Sequence, residues 1–208
     1  MEEFYYEMRL SGSGGQGLIL AGIIIAEAAV LDGFNVSQTQ SYGPEARGGA
    51  SRSDVVLSNS VIYYPKTTKL DLLLALTQEA CDKYFFALKP EGLLIIDSSN
   101  VNNVPTTKAI QYPITMTARE KFGTTLVTNI ISLGIIQIFS NVISKKSLKE
   151  AVANRVPPHT KKLNLEALEL GFNIGEKLKK KYNNNIKQET NKKHHHYKKK
   201  INKERSNK

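Results

Sequence analysis

A glycine-rich hexapeptide, Gly12-Ser13-Gly14-Gly15-Gln16-Gly17, runs directly into fourteen residues that are apolar almost without interruption, Leu18 to Leu31. This pairing constrains the fold more than any other feature of the chain. Phe4 to Leu10, just before the glycines, reads as a first strand. The apolar run reads as a helix that is hydrophobic nearly all round, and such a helix must be covered on more than one side. A strand, a glycine turn and a buried helix form the opening unit of an α/β sheet protein. The run is broken by Gly22 and Glu27 and falls short of the roughly 20 residues that span a bilayer.

Further apolar segments continue the alternation. Phe34–Gln38, Leu70–Leu76 and Leu93–Asp97 read as strands; Gln78–Leu88, Thr124–Phe139, Ser147–Ala153 and Leu163–Lys181 read as helices. Asp54–Leu57 and Val61–Tyr64 are short β candidates split by Ser58-Asn59-Ser60, a pattern that predicts an inserted hairpin. Lys89-Pro90-Glu91-Gly92 reads as a turn. The expected fold is α/β and Rossmann-like, a mostly parallel sheet with helices on both faces.

The net charge of +10 is confined to one end. Residues 177–208 hold 13 Lys or Arg against 2 Glu, and the remaining residues hold 16 against 17 acids. The expected organisation is one domain over residues 1–182 and a basic tail over 183–208, too poor in apolar residues to order itself. The near-neutral body gives no reason to expect a nucleic-acid partner. One cysteine, Cys81, excludes an internal disulfide and a four-thiolate cluster. It is expected as a buried core thiol, and His159 as a surface residue. The acidic start at Glu2, Glu3 and Glu7 lacks a signal-peptide pattern, so a cytoplasmic protein without a membrane segment is expected.

A glycine turn at a helix start lets backbone approach a phosphate, and the free N–H groups there favour an anion. Gly12, Gly14, Gly15, Gln16 and Gly17 are therefore candidate cofactor-binding residues. The bland alternative is that the glycines only permit close helix–strand packing. Gln16 faces a similar choice between offering its amide to a ligand and satisfying loop backbone. A dinucleotide site would place an acid on the ribose about 20 residues further on, and the second strand ends Asn35-Val36-Ser37-Gln38. Nicotinamide binding by a free-standing nucleotide-binding protein or reductase is thus the runner-up.

The second informative stretch is Ser41-Tyr42-Gly43-Pro44-Glu45-Ala46-Arg47-Gly48-Gly49-Ala50-Ser51. Arg47 can hold a carboxylate or phosphate bidentately. It can equally clamp the loop through Glu45 or through backbone. Tyr42, Pro44, Glu45, Gly48 and Gly49 are candidates for a loop or subunit contact. No hydroxyl here has a His/Asp partner pattern, so no catalytic residue and no metal site is expected.

These two motifs, with Asp71–Gln78, Gly92–Asp97 and the late helix carrying Thr128-Asn129 and Leu133-Gly134, resemble the gamma subunit of the 2-oxoacid:ferredoxin oxidoreductases over roughly residues 8–180. The form Gly-Pro-Glu-Ala-Arg-Gly-Gly-Ala-Ser is similar to the 2-oxoglutarate branch. The resemblance implies a multi-subunit enzyme that decarboxylates a 2-oxoacid on thiamine diphosphate, passes electrons through iron–sulfur clusters to ferredoxin and releases acyl-CoA. It places the thiamine diphosphate and the clusters on alpha, beta and possible delta partners. It gives this chain a structural role and a share in binding coenzyme A, with no activity alone and nothing covalently attached.

Overall fold

The structure, a computed structural model, describes residues 4–41 and 50–182. Six strands form one sheet: β1 (Tyr5–Gly12), β2 (Asn35–Ser41), β3 (Ser51–Ser58), β4 (Leu70–Ala75), β5 (Leu88–Asp97) and β6 (Ile110–Tyr112), in the order β2-β3-β1-β4-β5-β6. β1, β4, β5 and β6 pair in parallel, whereas β3 is antiparallel to both of its neighbours. Five strands therefore run one way and β3 alone runs back. The sheet is mixed, with the parallel majority the sequence predicts.

Six helices complete the fold: α1 (Leu18–Leu31), α2 (Gln78–Tyr84), α3 (Ile114–Phe122), α4 (Thr128–Ser140), α5 (Lys145–Arg155) and α6 over residues 161–182. They divide unequally. One sheet face carries Met8, Leu10, Val55, Leu57, Leu72, Leu74 and Ile95 into a core shared with all the helices except α2. The opposite face carries Leu73, Ala75, Leu94 and Ile96 against Ala80, Cys81 and Tyr84 of α2. Cys81 is fully buried there, and burial, with Asp82 beside it, pushes its thiol pKa up. It is the inert core thiol its surroundings predict.

α1 is as apolar as its sequence suggests because it is wedged between the sheet and α5. Ile24, Ile25, Ala28 and Ala29 are fully buried, and each large aliphatic so placed contributes roughly 1.5–3 kcal/mol. Gly22 sits where a Cβ would strike the Ser53 side chain on β3, so the helix can settle onto the strand. α4 and α6 approach still more closely. A Cβ on Gly134 would lie 2.7 Å from the Gly171 backbone and from the Leu168 carbonyl. That contact is backbone against backbone and cannot yield.

The expected hairpin is not inserted as predicted. Asp54–Leu57 lies inside β3, the central antiparallel strand, and its partners are β1 and β2. Val61–Tyr64 forms no strand and belongs to an irregular segment that crosses the sheet face away from α1. Lys89–Gly92 is a bulge within β5, held between the Leu70–Leu88 and Leu72–Leu93 pairs. β6 and α3 go unpredicted, and α4 begins at Thr128 rather than Thr124.

α5 is tied to α1 at both ends. Glu27 accepts from Arg155 and from Asn154 Nδ2 at 3.2 Å. Asp32 accepts from Ser147 Oγ at 2.6 Å and Ser144 Oγ at 2.9 Å, next to the N-cap of α5. Burial pushes the Asp32 carboxyl up, but the Ser147 and Ser144 donors outweigh it and hold the pKa below the ordinary carboxylate value. A carboxylate depressed in the folded state adds stability above its unfolded pKa and loses it as pH falls through the folded value. Asp32→Ala should lower stability at pH 7 by about 1 kcal/mol and flatten the loss below about pH 4. Urea unfolding at pH 7 and pH 3 measures both.

Candidate functional site

The carboxyl ends of β1, β2, β4 and β5 lie along one edge of the sheet. From β1 the chain builds leftward to β2 and β3, then returns to place β4 on the other side of β1. This is a topological switch point, where open α/β sheets bind their ligands. The glycine turn stands at it. Gly12 ends β1 opposite Ser51, and the Leu76 amide donates to the Ser11 carbonyl at 2.9 Å.

The turn divides into a packed half and an open half. A Cβ on Gly12 would overlap the Gln16 side chain and touch Leu76 Cβ at 3.0 Å. Gly17, the N-cap of α1, has φ 68 and ψ 25, the left-handed region that favours glycine. A Cβ there would collide with the Asn129 amide. The Gly17 carbonyl accepts two bonds, from the Ala21 amide and from Asn129 Nδ2, each at 3.0 Å. Asn129 is itself buried, and its Oδ1 accepts from the Ile130 amide at 2.9 Å. The start of α1 is thus fastened to the start of α4.

By contrast, Gly14 and Gly15 are exposed, and a Cβ at either position would meet nothing within 4 Å. The N-terminus of α1 has no side-chain cap. Its first-turn N–H groups lack intrahelical partners, as at any helix start. Open backbone beside an uncapped helix end fits an approaching phosphate. The Gln16 Oε1 accepts from the Ser13 amide at 2.8 Å, so the side chain satisfies loop backbone through its oxygen. All five turn candidates share this one edge.

Tyr42, Pro44, Glu45, Arg47, Gly48 and Gly49 lie outside the described residues. The flanks of that loop are described. Ser41 ends β2 in register with Arg52, and Ser51 starts β3 opposite Gly12. Both roots therefore sit at the same sheet edge as the glycine turn. The Ala50 amide donates to Glu79 Oε1 at 3.1 Å, and its carbonyl accepts from Tyr84 OH at 3.2 Å. Loop and α2 are joined at this point.

Sequence reading missed the charged network that braces the roots. Arg9 donates from Nε and Nη2 to Asp54 at 2.7 and 2.8 Å, a buried bidentate pair. Arg9 and Arg52 both stand over the Tyr84 ring, at 4.8 and 5.6 Å. Arg52 lies 3.8 Å from the same Asp54 and keeps about a third of its side chain exposed. Alternation along β1 and β3 places these charges on one face, but only the strand register brings them together. Several hollows of the described surface lie elsewhere. One, of about 750 Å³, is an open groove along α6 lined by Leu165, Glu166 and Glu169. Among the described residues there is no group of three His, Cys, Asp or Glu able to hold a metal ion. No helix among them is long and apolar enough to cross a membrane. His159 is exposed.

A profile of pyruvate ferredoxin/flavodoxin oxidoreductases matches residues 7–174, from within β1 to within α6. The chain belongs to this family. Within it, 2-oxoglutarate synthase subunit KorC of Methanocaldococcus jannaschii is 43% identical over 177 residues, covering 83% of this chain and 95% of that one. KorC of Methanothermobacter marburgensis is likewise 43% identical, covering 79% and 94%. Among solved structures, the gamma subunit of a keto/oxoacid ferredoxin oxidoreductase from Geobacter sulfurreducens superposes with a TM-score of 0.75 at 46% identity, covering 82% of this chain and 95% of that one. The 2-oxoglutarate:ferredoxin oxidoreductase of Magnetococcus marinus, with 2-oxoglutarate, coenzyme A and succinyl-CoA bound, gives 0.74 at 25% identity; the match covers 84% of this chain and 32% of that longer one. The oxidoreductase family and the gamma-subunit fold expected from the two motifs both stand.

The two halves of the turn should respond differently to the same change. Gly17→Ala should destabilise the free chain by roughly 1–3 kcal/mol, through left-handed strain and the Asn129 collision. Gly14→Ala should leave it within about 0.5 kcal/mol. Urea midpoints of the two variants give the comparison.

Proposed function

We propose that this chain is the gamma subunit of a 2-oxoglutarate:ferredoxin oxidoreductase, which forms succinyl-CoA with reduction of ferredoxin. The observation that carries the reading is the gradient of likeness across the family. Four archaeal 2-oxoglutarate synthase subunits are 39–43% identical over most of both chains. A ketoisovalerate oxidoreductase subunit is 30% identical, and an indolepyruvate and a pyruvate subunit are each 26%.

In this reading thiamine diphosphate and the iron–sulfur clusters belong to alpha, beta and ferredoxin-like partners. A single cysteine, buried in the core, leaves this chain without the ligands for a cluster. The chain contributes part of the coenzyme A site. The open backbone at Gly14 and Gly15, with the uncapped start of α1, would take a phosphate of the coenzyme. Arg47 would pair with another phosphate from its loop, and Arg52 stands at the root of that loop. Gln16 would hold the turn in shape and offer its remaining amide N–H groups. Tyr42, Pro44, Glu45, Gly48 and Gly49 would shape the loop against a partner subunit. No proton transfer or nucleophilic attack falls to this chain. Coenzyme A, when bound, supplies the thiol that receives the acyl group.

The test is co-expression with candidate alpha and beta subunits, purification through this chain, and assay of coenzyme-A-dependent reduction of a low-potential viologen. The expected result is a co-purifying complex that turns over 2-oxoglutarate in preference to pyruvate, 2-oxoisovalerate and indolepyruvate. Preference for another 2-oxoacid would overturn the branch. A chain that purifies alone and binds a nicotinamide dinucleotide would overturn the subunit reading.

A further inference from the structure

The segment over residues 59–69 has its polarity inverted. It crosses the end of the sheet opposite α1, where an ordinary element would turn apolar side chains inward. Polar groups tie it to the strands beneath. Glu7, buried within β1, accepts from the Thr68 and Lys69 amides and from Thr68 Oγ1. Thr67 Oγ1 joins the buried Arg9–Asp54 pair, at 2.9 Å from each. Ser37 Oγ donates to the Pro65 carbonyl at 3.1 Å, Asn35 Nδ2 to Ser60 at 3.0 Å, and Tyr5 OH to Tyr64 at 3.3 Å. Asn59 exchanges bonds with the Phe4 backbone. Three strands therefore staple the segment in place.

Of its apolar side chains only Ile62 is half-buried; the others go outward. Tyr63 is 92% exposed, Val61 64% and Tyr64 55%, with Tyr5 of β1 beside them at 37%. The solvent side of the same segment carries Lys66 and Lys69 and no acid. Buried charges thus hold a platform of exposed aromatic residues that carries two lysines on the same segment. A contact surface has this form when it is ordered beforehand, because binding then costs little conformational entropy. Exposed aromatic clusters rimmed by polar groups mark protein interfaces.

We infer that Tyr63, flanked by Val61, Tyr64 and Tyr5, is an anchor on which a larger subunit of the same oxidoreductase docks, offering an apolar pocket with an acidic rim facing Lys66 and Lys69. The inference rests on the subunit reading above. The occupant follows from the relatives. The match spans only 32% of the Magnetococcus chain and 35% of a ketoisovalerate oxidoreductase subunit. In those proteins the corresponding region shares a polypeptide with a larger remainder, which must pack against some face of it. In this chain the opposite sheet face is already covered by five helices. The acidic rim is the complement of the two lysines and steers docking.

The experiment measures subunit association of the full chain, co-expressed with its partner subunits, by dilution and size exclusion for wild type, Tyr63→Ala, Lys66→Glu and Leu126→Ala. Leu126 is a control, 77% exposed and remote in sequence, two residues before α4. Tyr63→Ala should weaken association about thirtyfold, as for a hot-spot aromatic, with an unchanged melting temperature of the free chain. Lys66→Glu should weaken it several-fold and flatten its salt dependence. Leu126→Ala should leave it unchanged. Association of the Tyr63 and Lys66 variants at the wild-type level would overturn the anchor while leaving the subunit reading intact. A wild-type chain that forms no complex would overturn both. A self-association of the free chain that Tyr63→Ala disperses would replace the partner with a second copy.

Discussion

The carbonyl oxygen of Gly17 holds the site together. It accepts the first main-chain bond of α1 from Ala21 and the side-chain amide of Asn129 from α4. The Asn129 bond needs a residue 17 without a Cβ, and that residue is left-handed. The turn, the apolar helix behind it and the α4–α6 pair are therefore one mechanical unit. The Gly134–Gly171 contact extends it by seating α6 flush against α4. What this rigidity leaves open is a short stretch of bare backbone, Gly14 and Gly15, at the switch point of the sheet.

The two faces of the sheet are organised by different forces. The α1 side is a broad aliphatic core whose stability comes from area removed from water. On the other side, β1, β2 and β3 are covered by a segment held through Glu7, Arg9, Asp54 and Thr67. Buried ion pairs add little net stability over apolar residues, and their better-attested use is to fix one arrangement. Here the arrangement braces the arginine-loop root on one side, through Arg52 and Tyr84, and presents Tyr63 on the other. Both are the surfaces proposed above for other molecules, as suits a chain whose relatives are subunits.

The parts of this design legible in the sequence are the local ones. The glycine turn, α1 and the β4 and β5 strands follow from short-range pattern, and the two motifs in order were enough to indicate the family. The hairpin failed although Asp54–Leu57 is strand, because Val61–Tyr64 has strand composition while its exposure depends on charges 50 and more residues earlier on β1. β6 has only three residues, too few for any periodicity. The bulge at Lys89–Gly92 carries turn residues because the strand does bend there, though pairing resumes beyond it. Asn129 sat within a matched motif without a role, because its partner is a carbonyl 112 residues away. Arg47 and its immediate neighbours lie outside the described residues, so their part rests on the loop roots and on the family.

The central claim is that the open half of the glycine turn serves the coenzyme and the packed half serves the fold. The most direct measurement is the Michaelis constant for coenzyme A of the assembled oxidoreductase carrying Gly14→Ala, set beside wild type. The account predicts a rise of about tenfold or more with an unchanged constant for 2-oxoglutarate and an intact complex, since a methyl group would stand where a phosphate meets bare backbone. An unchanged constant for coenzyme A would contradict it and leave the turn a packing device alone.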